Sequence, residues 1–326
     1  MKPILEKHTE QFIEDLKAAG GPPIYKLPVK EARKVLDHLQ AKPIEKPPVH
    51  IEDLTIPCGP DGKISIRIVR PMERTGLLPA VMYFHGGGWI LGNKETHDRL
   101  VRDIATGAHA AVVFVNYTPS PEAQYPKPIE EAYAATKYIA EHGKEMHLDT
   151  ARLVVAGDSV GGNMAIAVTL LAKERKGPKI HFQLLFYPVT DANFNNGSYK
   201  EFAEGPWLTK AAMEWFWNAY EPNLAHRKKS TVCPLQASLE ELRHLPPALI
   251  ITDENDVLRD EGEAYGRKLM QAGVETTLIR YSGTHHDFML LNPLKDTPAT
   301  RSAMVLATAT LQRVFSSSKA RQKGAA

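Results

Sequence analysis

The run Leu153-Val154-Val155-Ala156-Gly157-Asp158-Ser159-Val160-Gly161-Gly162 decides how this chain is read. Four apolar residues in succession suit a strand buried on both faces, and the residues from Gly161 to Glu174 follow a helical pattern. Strand and helix are therefore joined by a very sharp turn with a serine at its centre. Side chains at positions 157 and 161 would collide across such a turn, which accounts for the two glycines, and the serine itself is expected to hold a strained backbone. A helix beginning at Ser159 also aims free N–H groups and a positive dipole end at any negative charge developing there. G-x-S-x-G between a strand and a helix is the pattern of a nucleophilic serine; a plain glycine-rich connection is the alternative.

Working outward, short apolar runs at Ala80–Phe84, Ala111–Val115, Phe182–Phe186, Ala248–Ile251 and Thr277–Tyr281 read as further buried strands. Helical patterns at Pro128–His142, Arg259–Ala272 and Thr300–Phe315 alternate with them. That order predicts an α/β fold with a mostly parallel central sheet flanked by helices. Ile51–Ile56 and Ile64–Val69 alternate apolar and polar residues around Gly59-Pro60-Asp61-Gly62, the pattern of an antiparallel hairpin at the start of the sheet. Two amphipathic helices, Leu5–Ala19 and Val29–Gln40, precede it and are separated by Gly20-Gly21-Pro22-Pro23. Asp191–Leu245 is too long for an ordinary crossover and contains an aromatic helix, Ala211–Trp217, so it suits an insertion above the sheet.

A second glycine-rich element follows the strand Ala80–Phe84: His85-Gly86-Gly87-Gly88-Trp89. Consecutive glycines cost conformational entropy, which a tight loop with free backbone N–H groups explains. A phosphate-binding turn is the alternative, but G-x-G-x-x-G is not matched. A base for Ser159 has to come from a loop after a later strand, where His285 and His286 are adjacent candidates. For the acid, Asp253, Glu254, Asp256 and Asp260 all follow the strand Ala248–Ile251.

His-Gly-Gly-Gly, with Gly-Asp-Ser-x-Gly-Gly about 70 residues later, resembles the hormone-sensitive-lipase-like family of esterases. Tyr117-Thr118-Pro119-Ser120-Pro121-Glu122 is similar to the family's Tyr-Arg-Leu-Ala-Pro-Glu segment and departs from it at three positions. Pro246–Ile250, Asp256–Gly262 and Tyr281–Phe288 resemble its seventh strand, acid loop and histidine loop. The resemblance implies an α/β-hydrolase fold with a helical cap and a serine carboxylesterase acting on short- to medium-chain esters through an acyl-enzyme. It implies a triad of Ser159, Asp256 and His286, and an oxyanion hole from the N–H groups of Gly86, Gly87 and Val160. His285 falls where the family has an apolar residue, and Asp287 where it has glycine. Trp89, Tyr187, Trp207 and Leu208 are expected in the pocket wall, with ordinary core packing as the alternative for each. The expected organisation is residues 1–48 as the N-terminal part of the cap, 49–190 and 246–318 as the catalytic domain, 191–245 as the cap insertion, and 319–326 as a disordered tail. The same triad would serve a lactonase or amidase. A non-catalytic receptor for a small ligand on this fold is a further alternative, against which the presence of His286 counts.

Composition narrows the partners. The 326 residues carry a formal charge of only +2, with 43% hydrophobic and 24% charged residues, so no nucleic-acid partner is expected. Cys58 and Cys233 suggest neither a disulfide framework nor zinc, and together with the lack of a secretory h-region they point to the cytoplasm. No run approaches the ~18 apolar residues of a membrane span. His285, His286 and Asp287 are good ligand types, but adjacent residues rarely converge on one ion, so neither a metal nor another cofactor is expected. A homodimer through an unprotected edge strand at 276–281 is expected from the resemblance.

Overall fold

The structure, a computed structural model, describes residues 3–73 and 76–323. Helices α1 (Lys7–Ala19) and α2 (Val29–Gln40) come first, followed by strands β1 (Val49–Ile56), β2 (Ile64–Pro71) and β3 (Leu78–Phe84). Then come α3 (Asp98–Ala108), β4 (Ala111–Asn116), α4 (Lys127–His142), β5 (Leu148–Asp158), α5 (Val160–Glu174) and β6 (Gln183–Phe186). The short α6 (Gly197–Glu201), α7 (Lys210–Tyr220) and α8 (Leu239–Leu242) lie within the insertion. The chain closes with β7 (Ala248–Asn255), α9 (Arg259–Gln271), β8 (Thr276–His285) and α10 (Pro298–Lys323).

The eight strands form one sheet in the order β1-β2-β4-β3-β5-β6-β7-β8. β1 pairs antiparallel with β2 and β2 antiparallel with β4, whereas every pair from β4 to β8 is parallel. This is the α/β-hydrolase fold, with the hairpin at one edge and β8 at the other. All of β3 and residues Leu153–Asp158 of β5 are buried, as strands covered by helices on both faces must be. α5 is buried along nearly its whole circumference from Val160 to Ala172, which explains why its sequence is apolar with so little amphipathic contrast.

Two elements differ from expectation. Helix α3 had not been read from the sequence, although Leu100, Val101, Ile104, Ala105 and Ala108 recur at helical spacing and are buried. The parallel pairing of β3 with β4 makes a crossover element there necessary. At the other end, α10 runs to Lys323 through part of the tail expected to be disordered from 319, and residues 324–326 lie outside the described residues. Among the described residues no helix is long and apolar enough to cross a membrane.

The parallel strands deliver their C-terminal ends to one side of the sheet, where ligands of open α/β sheets bind. His85 follows directly on β3, Ser159 on β5, Asp256 on β7 and His286 on β8. Residues following α1 and within α2, together with the segment 207–216 around the start of α7, line a single cavity over Ser159.

Candidate active site

Ser159 sits between β5 and α5 with φ 56° and ψ −120°. A non-glycine residue held there stores roughly 1–3 kcal/mol of strain, supplied by the packing on either side. The glycines allow the turn to close: a Cβ at Gly157 would strike the Gly161 backbone, and one at Gly161 would strike the Phe84 carbonyl. The turn is pinned by the Ser159 N–H donating to the Phe186 carbonyl at 2.9 Å, while Asn163 and Val189 N–H groups donate to the Ser159 carbonyl.

His286 Nε2 lies 2.9 Å from Ser159 Oγ and its Nδ1 lies 2.8 Å from Asp256 Oδ2. All three side chains are buried. Asp256 Oδ1 accepts the Leu258 N–H at 3.0 Å, which fixes the carboxylate at the start of α9. The two loops are tied together, with Asn255 Nδ2 donating to the Thr284 carbonyl and the Gly283 N–H donating to Glu254. Beyond the histidine, Arg99 of α3 and Gln40 of α2 donate to the Leu290 carbonyl at 2.7 and 3.0 Å. Burial disfavours the imidazolium, but the Asp256 and Asp287 carboxylates and the Asp256 hydrogen bond outweigh it, so the His286 pKa is pushed up to about 9.

The neighbouring candidates have other surroundings. His285 Nδ1 donates to the His286 carbonyl at 2.7 Å, and its ring packs against Phe12 of α1 and Trp207, which also touch each other. Burial lowers its pKa to about 4, so the ring is neutral. Asp253 is fully buried and both its oxygens lack a hydrogen-bond partner; burial, with the charges of Asp256 and Asp287, holds its carboxyl well above the usual range. Asp253, Asp256 and His286 do bring three donor atoms within 4.8 Å of one another, but both His286 nitrogens are already engaged with Asp256 and Ser159.

The loop after β3 departs from expectation in one respect. The Gly86 N–H donates to Asp158 Oδ1 at 3.1 Å, so it is turned away from an oxyanion on Ser159. Gly87 and Gly88, rather than Gly86, line the cavity with Ser159. Val160 opens α5, where first-turn N–H groups have no partner within the helix. The Gly86 carbonyl meets His85 Nδ1 at 2.8 Å, and burial beside His97 lowers His85 to about 3, so that nitrogen donates from a neutral ring. Because a peptide's C=O and N–H point in opposite directions, anchoring the Gly86 carbonyl also directs the Gly87 N–H.

The cavity measures about 230 Å³ and is mostly apolar. Trp207 and Leu208 line it. Trp89 does not; it is fully buried, stacked on Tyr220 at 4.0 Å and packed against Trp217. Tyr187 is also buried, with its ring edge-on to His286 at 4.8 Å, so it supports the base from the side. Val35, Leu36 and Met213 are wall residues that sequence reading missed, and Phe216 of the aromatic helix joins them. The amphipathic faces of α2 and α7 were visible, but nothing local to those helices says that they share a cavity. Asp287 lines the cavity too, at φ 69° where the resemblance expected glycine; aspartate is among the few other residues that tolerate a left-handed backbone. Its Oδ2 accepts from Trp207 Nε1 at 2.9 Å.

Residues 81–290 match the family described as alpha/beta hydrolase fold. The chain is 36% identical over 317 residues to the carboxylesterase NlhH of Mycobacterium tuberculosis, a match covering 96% of each chain. It is 33% identical over 290 residues to the ethyl acetate hydrolase of Pseudomonas putida, covering 87% of this chain and 91% of that protein. Among solved structures, the thermostable esterase from Pseudomonas putida ECU1011 superposes with a TM-score of 0.94 at 50% identity, covering 96% of this chain and 98% of that one.

Proposed function

The chain belongs to the α/β-hydrolase family, among its hormone-sensitive-lipase-like carboxylesterases, and from that premise we propose that it hydrolyses short- to medium-chain carboxylic esters through an acyl-enzyme on Ser159. The observation that carries this reading is the continuous relay from Asp256 through His286 to Ser159, with contacts of 2.8 and 2.9 Å, opening onto an apolar cavity.

In this mechanism His286 Nε2 takes the Ser159 proton as Oγ attacks the ester carbonyl. Asp256 holds the imidazole in the tautomer that leaves Nε2 free to accept and stabilises the cation that results. The tetrahedral oxyanion is received by the N–H groups of Gly87, Gly88 and Val160, with Gly88 in the place expected of Gly86. His286 returns its proton to the leaving alcohol, and water drawn against the same base releases the acid. The α1–α2 segment and the insertion act as a cap whose apolar side chains bound the acyl group. A cavity of about 230 Å³ favours small acyl chains, in keeping with an ethyl acetate hydrolase among the relatives.

The test is a rate series on p-nitrophenyl esters of rising chain length, extended to lactones and anilides, with Ser159→Ala beside the wild type. Ester turnover should fall steeply with chain length and vanish in Ser159→Ala. Turnover by Ser159→Ala within tenfold of wild type would refute the acyl-enzyme, and faster lactone or anilide cleavage would move the substrate class.

A further inference from the structure

The residue before the nucleophile carries a buried charge that the triad does not use. Asp158 is fully buried, and its Oδ1 accepts both the Tyr83 hydroxyl at 2.6 Å and the Gly86 N–H at 3.1 Å. Its Oδ2 faces His97 Nε2 at 3.2 Å. His97 Nδ1 meets Thr96 Oγ1 at 2.9 Å, which fixes the ring's orientation. Burial alone would raise the Asp158 carboxyl, but His97 and Tyr83 outweigh it and keep it below the ordinary range, as an anion. A buried carboxylate is expensive unless paired and hydrogen-bonded, and this one meets the Tyr83 hydroxyl, the Gly86 N–H and the His97 ring.

One of those donors belongs to the glycine loop. Gly86 packs so closely on Asp158 that a Cβ there would fall on the carboxylate. Its N–H is fixed by Asp158 and its carbonyl by His85, so the peptide planes on both sides of Gly86 are anchored, the second of them carrying the Gly87 N–H. Gly87 and Gly88 line the cavity with Ser159, and as glycines with φ of 101° and 64° they have little intrinsic preference to hold them there.

We propose that Asp158 is a positioning residue for the oxyanion loop: by accepting the Gly86 N–H it fixes the loop so that the Gly87 and Gly88 N–H groups point at the oxyanion on Ser159. This rests on the reading of Ser159 as nucleophile. The carboxylate touches no substrate atom and acts through the backbone of its neighbour. It also explains why the first glycine of the triplet is needed although its N–H does not enter the hole.

The experiment compares Asp158→Ala, which removes the acceptor, with Asp158→Asn, which keeps one acceptor oxygen in the same place. Each is checked for folding by thermal unfolding and assayed for kcat, for KM and for the inhibition constant of an alkyl trifluoromethyl ketone. The ketone adds to the serine and needs the hole. Asp158→Ala should lose about 100-fold in kcat, the cost of misplacing an oxyanion donor, with KM little changed and ketone affinity falling in step. Asp158→Asn should recover kcat to within about tenfold of wild type, the difference of one charge at a retained acceptor.

A folded Asp158→Ala with wild-type kcat, a loss confined to KM, or an Asn variant as impaired as the Ala variant would each overturn the proposal. Should Asp158→Ala fail to fold, Tyr83→Phe carries the test, since it removes the hydroxyl that orients Oδ1 while keeping the ring. A severalfold loss in kcat and ketone affinity at constant KM supports the proposal, and wild-type values overturn it. Ser159→Ala, run alongside, separates the two readings. If it stays active, the nucleophile is wrong; if it is inactive while the Asp158 and Tyr83 variants are unaffected, only the positioning role is wrong.

Discussion

Asp287 Oδ1 stands 3.5 Å from His286 Nε2, the same nitrogen that meets Ser159 Oγ. The imidazole therefore has carboxylates at both ends, Asp256 on Nδ1 and Asp287 beside Nε2, and its pKa is pushed up to about 9. Of the other nearby acids, the Asp158 charge adds a smaller push in the same direction, while burial holds the Asp253 carboxyl well above its usual range.

The sign of the pH dependence follows. A general base works only when neutral, so kcat/KM should rise with pH up to the alkaline side of the ordinary histidine range. Asp287→Asn removes a negative charge that favours the imidazolium, so the acid limb should move to lower pH. A pH profile of kcat/KM for both proteins checks this, and an unshifted limb would show that Asp287 does not act on His286.

His286→Ala should cost about 10⁴-fold or more in kcat, as loss of the base does in comparable triads. His285→Ala should keep catalysis within about tenfold, while lowering the melting temperature because Phe12 and Trp207 lose the ring packed against both. Steady-state kinetics with a melting curve for each variant distinguishes the two residues.

Asp256→Asn should lower kcat about 10⁴-fold by favouring the wrong tautomer, whereas Asp253→Asn should leave it nearly intact. Asp253 supplies a different signal. Its carboxyl is raised in the folded state, so the folded protein holds a proton that the unfolded chain gives up above about pH 4, and stability falls as pH rises past that point. Asp253→Asn should therefore lose less melting temperature between pH 5 and 8 than the wild type.

Met213 is almost wholly buried and lines the cavity over Ser159. Met213→Ala should enlarge the acyl space and raise the octanoate-to-acetate ratio of kcat/KM by about tenfold or more, the usual yield of a few methylenes in an apolar pocket. An unchanged ratio would place the acyl chain elsewhere in the cleft.

The sequence alone determined whatever is local in the chain. Glycine spacing encodes the sharp turn around Ser159 because the turn's shape depends on residues two positions away, and apolar runs encode buried strands because burial on both faces leaves no room for polar alternation. The alternation of runs and helical patterns carried the layered sheet, though helix α3 was overlooked despite its spacing. The partners of Ser159 needed a family resemblance, since nothing local separates His286 from His285 or Asp256 from Asp253. Tertiary structure decided what depends on direction through space. It stacks His285 on Phe12 while His286 meets Ser159, brings α2 and α7 to one cavity, and buries Trp89 away from it. It also turns the Gly86 N–H toward Asp158, a bond joining two loops 72 residues apart, because a hydrogen bond across strands is set by how the sheet stacks them and not by either segment alone.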